Sequence, residues 1–300
     1  MDVVNKSRSV LDRLKNQSKE MNLPFQTVIQ LFAQEEFLRK LSMSAHNEEF
    51  ILKGGMFIYT LTNYESRPTK DVDFIIRNLS CELDNIKLVI EEICTVNTGN
   101  DFIEIFLSKI SQIGLNKEYP GTRISMQAFI GKARIPFLID IGIDDIVIPP
   151  PLKCTIKPRL VGFTSPEIYT YSLESTIAEK LDAILQRMSA TSRMKDFFDI
   201  YYLQSTFEFN GQLLCAAIKA TTNHRFRKTP PDVFTEIRNF TNDKYLLKFW
   251  SNFEPSAKAH LSFDVVINGI CNFLEPVYKA IVNNFDFSGV WNCKKQKWVD

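Results

Sequence analysis

The sequence predicts an α+β protein in which a mixed-sheet α/β part is followed by a helical part. Three observations predict it. Between residues 50 and 143, short runs of β-branched and alternating apolar residues read as strands. Ile148-Pro149-Pro150-Pro151 can continue neither a helix nor a central strand, and reads as the exit from the sheet. Beyond about residue 165 the apolar spacing is helical almost to the end. A chain of 300 residues exceeds the usual single domain, so two are expected. These are an α/β domain with N-terminal helices over 1–160 and a helical domain over 161–300.

Residues 4–22 form the first expected helix, with Val4, Val10, Leu11 and Leu14 on helical spacing. Pro24 suits the first turn of a second helix reaching residue 42, with Val28, Leu31, Phe32, Phe37 and Leu41 in one stripe. Phe50 to Lys53 is a short strand stopped by Gly54-Gly55, and Met56 to Thr62 is a short helix. Asp71 to Ile76 (DVDFII) reads as a strand and Cys81 to Ile93 as a helix. Arg123 to Ile130 alternates, with Ile124, Met126 and Ala128 opposite Ser125 and Gln127. Ile135 to Ile143 is nearly continuous in apolar residues, the pattern of a fully buried strand. Helices are then expected over 172–189, 193–206, 209–221, 230–238, 242–254 and 261–284.

The 45% hydrophobic and 24% charged content is that of a globular chain and excludes general disorder. A net charge of +1 gives no global field for nucleic acid, which leaves a local groove as the only electrostatic route to it. The six cysteines are scattered, with no C-x-x-C pair, which argues against structural zinc and for reduced thiols in a cytosolic protein. His46, His224 and His260 are isolated and lack metal-ligand spacing. The first twenty residues carry no apolar core of a signal peptide, and no eighteen-residue apolar run occurs. The expectation is a soluble, cytoplasmic protein with no membrane partner.

Chemistry concentrates in LKGGMFIYTLTNYESRPTKDVDF, residues 52–74. Asp71 and Asp73 are i and i+2 on a strand, so both side chains leave one face, with Cα atoms about 6.5–7 Å apart. Two carboxylates so placed can share magnesium, which favours a few carboxylates plus substrate phosphates. Gly54 and Gly55, between strand and helix, let backbone N–H groups approach a triphosphate. Lys53, Arg67 and Lys70 bracket the pair and offset phosphate charge. Each motif alone also fits an ordinary turn or a solvated strand end. Asp140 interrupts an apolar strand, which suggests either a third carboxylate of the site or a partner for a core lysine or arginine. Asp144 and Asp145 read as loop residues beyond it.

In the helical half, Lys180 lies in LESTIAEKLDAI (173–184) and Asp196 and Asp199 in SRMKDFFDIYYL (192–203). Asp196 and Asp199 share a face with Arg193. Periodicity alone makes Lys180 a solvated lysine and the aspartates surface salt-bridge partners. Lys219, His224, Arg225, Arg227 and Lys228 form a basic run that reads either as a solvated loop or as a groove for RNA. Lys294, Lys295 and Lys297 with Trp291 and Trp298 invite the same pair of readings.

The segments LFAQEEFLRKLS (31–42), FILKGGMF (50–57), RPTKDVDF (67–74), IPFLIDIGIDD (135–145), ESTIAEKLDAI (174–184) and SRMKDFFDIYYL (192–203) resemble, in this order, the AbiEii/AbiGii toxin family. That family is a branch of the polymerase-β-like nucleotidyltransferases that includes the MenT toxins. The resemblance implies a polymerase-β-like N-terminal fold and transfer of a nucleotide from an NTP, with GTP or CTP as candidates, in the presence of Mg²⁺. It implies an RNA (tRNA) or protein acceptor, a cognate antitoxin, and a place in type IV toxin–antitoxin or abortive phage infection systems. By motif, Asp71 and Asp73 bind metal, with Asp140 as third ligand. Lys53, Gly54, Gly55, Arg67 and Lys180 bind nucleotide, and Asp196 is the essential helical aspartate, with Asp199 second choice. The competing expectation is a non-catalytic descendant that binds a nucleotide or a partner.

Overall fold

The computed structural model describes residues 3–113, 121–143, 146–253 and 261–300; Asp144, Asp145 and His260 fall outside them. The chain divides into two compact units, Met1–Asp144 with Leu152–Tyr171, and Asp145–Pro151 with Ser172–Asp300.

The first unit is built on a mixed seven-stranded sheet. Its strands are β1 (Phe50–Lys53), β2 (Asp71–Ile76), β3 (Ile103–Ile113), β4 (Gly121–Ile130), β5 (Ala133–Gly142), β6 (Leu152–Thr155) and β7 (Glu167–Thr170). They lie in the order β3-β4-β5-β2-β1-β7-β6. β2 pairs antiparallel with β1 and parallel with β5. The helices are α1 (Val3–Glu20), α2 (Phe25–Met43), α3 (Gly54–Leu61) and α4 (Leu83–Thr95). The proline run is therefore not the exit from the sheet, because β6 and β7 come after it and rejoin at β1. Edge strand β3 is also not among the strands the sequence predicts. A register shift at Leu107/Lys109 breaks its alternation, which hides a strand from a period-two search.

Two sequence expectations change here. β5 is not buried on both faces: Ile135, Phe137, Ile139 and Ile141 are buried, while Pro136, Leu138 and Asp140 alternate on a more open face. Pro136 is tolerated because that part of β5 pairs with β4 alone. α2 carries no single stripe; almost every residue from Val28 to Leu41 is buried. Phe37 packs against Phe74 and Phe137, so α2 covers the apolar face of the sheet. Its buried charges satisfy one another. Arg39 bridges Glu35 at 2.6 Å and Glu36, and donates to the Thr164 carbonyl at 2.8 Å.

The second unit is mainly helical: α5 (Leu173–Arg187), α6 (Met194–Thr206), α7 (Gly211–His224), α8 (Val233–Asn239), α9 (Lys244–Asn252) and α10 (Phe263–Val282). Ser172, Asn210 and Asp243 cap α5, α7 and α9 by accepting backbone N–H bonds. A small sheet, β8 (Phe209–Asn210), β9 (Val290–Asn292) and β10 (Lys297–Val299), was not foreseen. Among the described residues α10 alone is long and apolar enough to cross a membrane, and half of that stretch is buried. Its buried face meets α6, α7 and α8, as a core helix does.

Candidate functional site

The register of the first unit brings four charged residues into one row across the sheet. Arg123 of β4 pairs with Asp140 of β5, Asp140 with Asp73 of β2, and Asp73 with Lys53 of β1. Directly paired residues share a face, and Asp71 shares it as the i−2 neighbour of Asp73. Val72 and Phe74, on the opposite face, are fully buried. Period-two geometry thus separates a core face under α2 from a charged face.

Gly54 begins α3 with φ +68, a conformation that favours glycine. A Cβ there would stand 2.2 Å from Asp73 Oδ2. At Gly55 a Cβ would stand 2.8 Å from Thr69 Oγ1 and 3.6 Å from Arg67 Nη2. The glycine pair thus leaves the turn backbone directly against Asp73 and close to Arg67. The Lys53 ammonium lies 5.1 Å over the Tyr171 ring. Lys70 is exposed, and its carbonyl accepts from Gln30 and Gln34.

Asp140 is engaged by Arg123, whose Nε donates to Oδ1 at 2.8 Å and Nη2 to Oδ2 at 2.6 Å. That bond raises the Arg123 pKa above its ordinary value against an opposing desolvation, and the charges of Asp140, Asp71 and Asp73 push the same way. Nothing in the local sequence singles out Arg123 as a site residue. A usable signal was the two-residue Gly131-Lys132 turn between β4 and β5, which pairs the residue seven before Ile130 with the residue seven after Ala133. Among the described residues no group of three or more His, Cys, Asp or Glu is arranged around a metal position. Asp71 and Asp73, with the glycine backbone beside Asp73, are carboxylates of the number and kind that could hold Mg²⁺ together with substrate phosphates.

In the second unit, Lys180 is not a solvated lysine. It is buried, 2.6 Å from Asp199 Oδ2 and 3.4 Å from Asp196 Oδ1, while Arg193 Nε meets Asp196 Oδ2 at 2.7 Å. Both aspartates are buried, so the Lys180 pairs are interior, while the half-exposed Arg193 reaches Asp196 from the surface. Helical spacing could not show this, because α5 and α6 are buried on more than one side.

The basic run is partly committed as well. Arg225 meets Asp182 at 2.7 Å and Glu179 at 3.3 Å, and Arg227 meets Asp182 at 3.1 Å. A cavity of about 280 Å³ beside them is lined by both signs, including Asp182, Asp232, Glu236, Arg227 and Lys228. Trp291 is fully buried and donates to the Gln204 carbonyl, and Trp298 stacks on Phe273. Trp291 is thus a core residue and offers no face to RNA bases, and the half-buried Trp298 has one face on Phe273. All six cysteines are free, and burial pushes Cys94 up to about 12 and Cys271 up to about 11.

The model of the AbiEii family, described as nucleotidyl transferase toxins of type IV toxin–antitoxin systems, matches residues 36–266. The chain belongs to the AbiEii family. Within this AbiEii chain the match spans β1, the D-x-D strand, β5, α5 and α6, and runs into α10. Two solved structures are similar. JHP933 from Helicobacter pylori is 14% identical, with a TM-score of 0.48, over 87% of this chain and 96% of its own. A second H. pylori protein, whose description as a nucleotidyltransferase is provisional, is 13% identical, with a TM-score of 0.48, over 88% of this chain and 100% of its own. No curated protein gives a significant match.

Proposed function

We propose that this AbiEii chain binds an NTP with Mg²⁺ on the charged face of its sheet and transfers the nucleotide to a hydroxyl of an RNA, such as tRNA, or of a protein. The observation that carries the reading is the contact between the Gly54 turn and Asp73, which leaves no room for a side chain between backbone and carboxylate. Asp71 and Asp73 would hold the ion. Held there, the ion would supply positive charge against that developing on the α-phosphate and on the leaving pyrophosphate. The N–H groups at Gly54 and Gly55 begin a helix and suit phosphate oxygens. Lys53 and Arg67 add positive charge near them. In the reaction the acceptor oxygen bonds to the α-phosphorus, the bond to pyrophosphate breaks, and the hydroxyl proton leaves to a base. A cognate antitoxin would restrain the activity.

The competing reading is a descendant that binds a nucleotide or a partner without catalysis. The test is labelling of a cell lysate with each α-³²P NTP. The parent chain is expected to label an acceptor and release pyrophosphate, and Asp71→Ala to abolish both while circular dichroism stays unchanged. Undiminished labelling by Asp71→Ala would sink the reading. NTP binding that ignores Mg²⁺ and releases no pyrophosphate would favour the alternative.

A further inference from the structure

Arg123 and Asp140 form a fork, with Nε and Nη2 of one guanidinium closing both oxygens of one carboxylate. This planar two-bond match is available to arginine and not to lysine. Nη1 takes no part in the pair, and the Arg123 side chain is 42% exposed against 20% for Asp140. The same guanidinium feels the charges of Asp71 and Asp73.

A third metal ligand needs an oxygen lone pair aimed at the ion and no cation in its way. Arg123 opposes both, because it takes one lone pair of each Asp140 oxygen and sets a positive charge close to the D-x-D pair. For a triphosphate the same arrangement is favourable. A guanidinium held by a carboxylate is already oriented, so less freedom is lost when its remaining donors meet phosphate. The row then reads as two cations, Lys53 and Arg123, flanking the carboxylates between them.

We propose that Arg123 contacts the phosphates of the NTP and that Asp140 is its positioning residue, not a third metal ligand. This rests on the NTP-binding reading above and specifies how that site is built.

The test uses the full chain in two binding measurements. Mn²⁺ binding without nucleotide is followed by electron paramagnetic resonance. Binding of ATP, GTP, CTP and UTP in Ca²⁺ is followed by calorimetry. The variants are Arg123→Gln, Arg123→Lys, Asp140→Asn, the Arg123→Gln/Asp140→Asn pair and Asp71→Asn/Asp73→Asn. Arg123→Gln and Asp140→Asn are expected to keep Mn²⁺ affinity within about twofold and each to weaken the preferred NTP by about tenfold or more. The pair should be no weaker than the worse single variant, because both remove one device. Arg123→Lys should not rescue, since lysine lacks the fork. Because Arg123 is partly exposed, Arg123→Gln keeps the test open if Asp140→Asn does not fold. Loss of Mn²⁺ affinity in Asp140→Asn of the size seen in Asp71→Asn/Asp73→Asn overturns the proposal, and so does parental NTP affinity in Arg123→Gln. If Asp71→Asn/Asp73→Asn leaves Mn²⁺ binding intact, or the parent binds no NTP, the underlying reading fails and the proposal falls with it.

Discussion

Gly54→Ala separates the stability role of the glycine turn from its chemical role. At φ +68 an alanine is strained by about 1–2 kcal/mol. That is small against a usual total of about 5–15 kcal/mol, so the chain should remain folded with a melting temperature a few degrees lower. The steric consequence is larger. The new methyl would stand 2.2 Å from Oδ2, 2.8 Å from Cγ and 3.0 Å from Cβ of Asp73. Turning the carboxylate tip alone cannot relieve three such contacts, and the side chain must move by about 1 Å. A misplacement of that size at a reacting centre costs about 100-fold in rate. Gly54→Ala is therefore expected to label acceptor about 100-fold more slowly than the parent and to bind Mn²⁺ more weakly. Gly55→Ala, whose methyl meets Thr69, should affect metal binding less. The measurements are α-³²P NTP incorporation, Mn²⁺ titration and thermal melting on the same preparations. Parental rate and parental Mn²⁺ affinity in a folded Gly54→Ala would refute the argument that this glycine exists to admit Asp73.

Two further outcomes follow from buried and half-buried charges. Lys180→Met removes the buried cation that Asp199 and Asp196 share, and should cost about 3–5 kcal/mol in urea unfolding, partly recovered by Lys180→Met/Asp199→Asn. An unchanged unfolding midpoint would show that the ion pairs are not what holds α5 to α6. His46 bonds Glu49 at 2.7 Å and Glu92 at 2.8 Å; burial opposes its charge, but the two carboxylates prevail and raise its pKa. A raised histidine contributes stability that is fully present below the unfolded value of 6.5 and is lost as pH climbs through the folded one. His46→Gln should thus lower the melting temperature at about pH 5.5–6 and much less at about pH 9. An equal shift at both pH values would contradict it.

Much of the fold was legible because local rules carried it. The helices α1 to α10, and the strands β1, β2, β4 and β5, fall where period and punctuation placed them, with ends shifted by a few residues. The strands that were missed share a cause. β3 contains a register shift, and β6 to β10 are two to four residues long, too short for a period to show. Of the site, Asp71 and Asp73 were readable as a same-face pair, and Gly54 as a turn. That the turn abuts Asp73 was not readable, because it depends on β1 and β2 running antiparallel in register.

The sequence by itself determined that two carboxylates leave one face of a strand beside a glycine turn, since that follows from period-two geometry and the lack of a Cβ. Only the tertiary structure decided which charges are neighbours. Arg123 meets Asp140 because a two-residue turn sets the pairing of β4 with β5, and Lys180 meets Asp199 because α5 packs on α6. A residue's partner and its burial are properties of the packed chain. For that reason Lys180 reads as a solvated lysine and Asp196 as a surface charge in sequence, while both are interior in the fold, and the cation that meets Asp140 is identified only there.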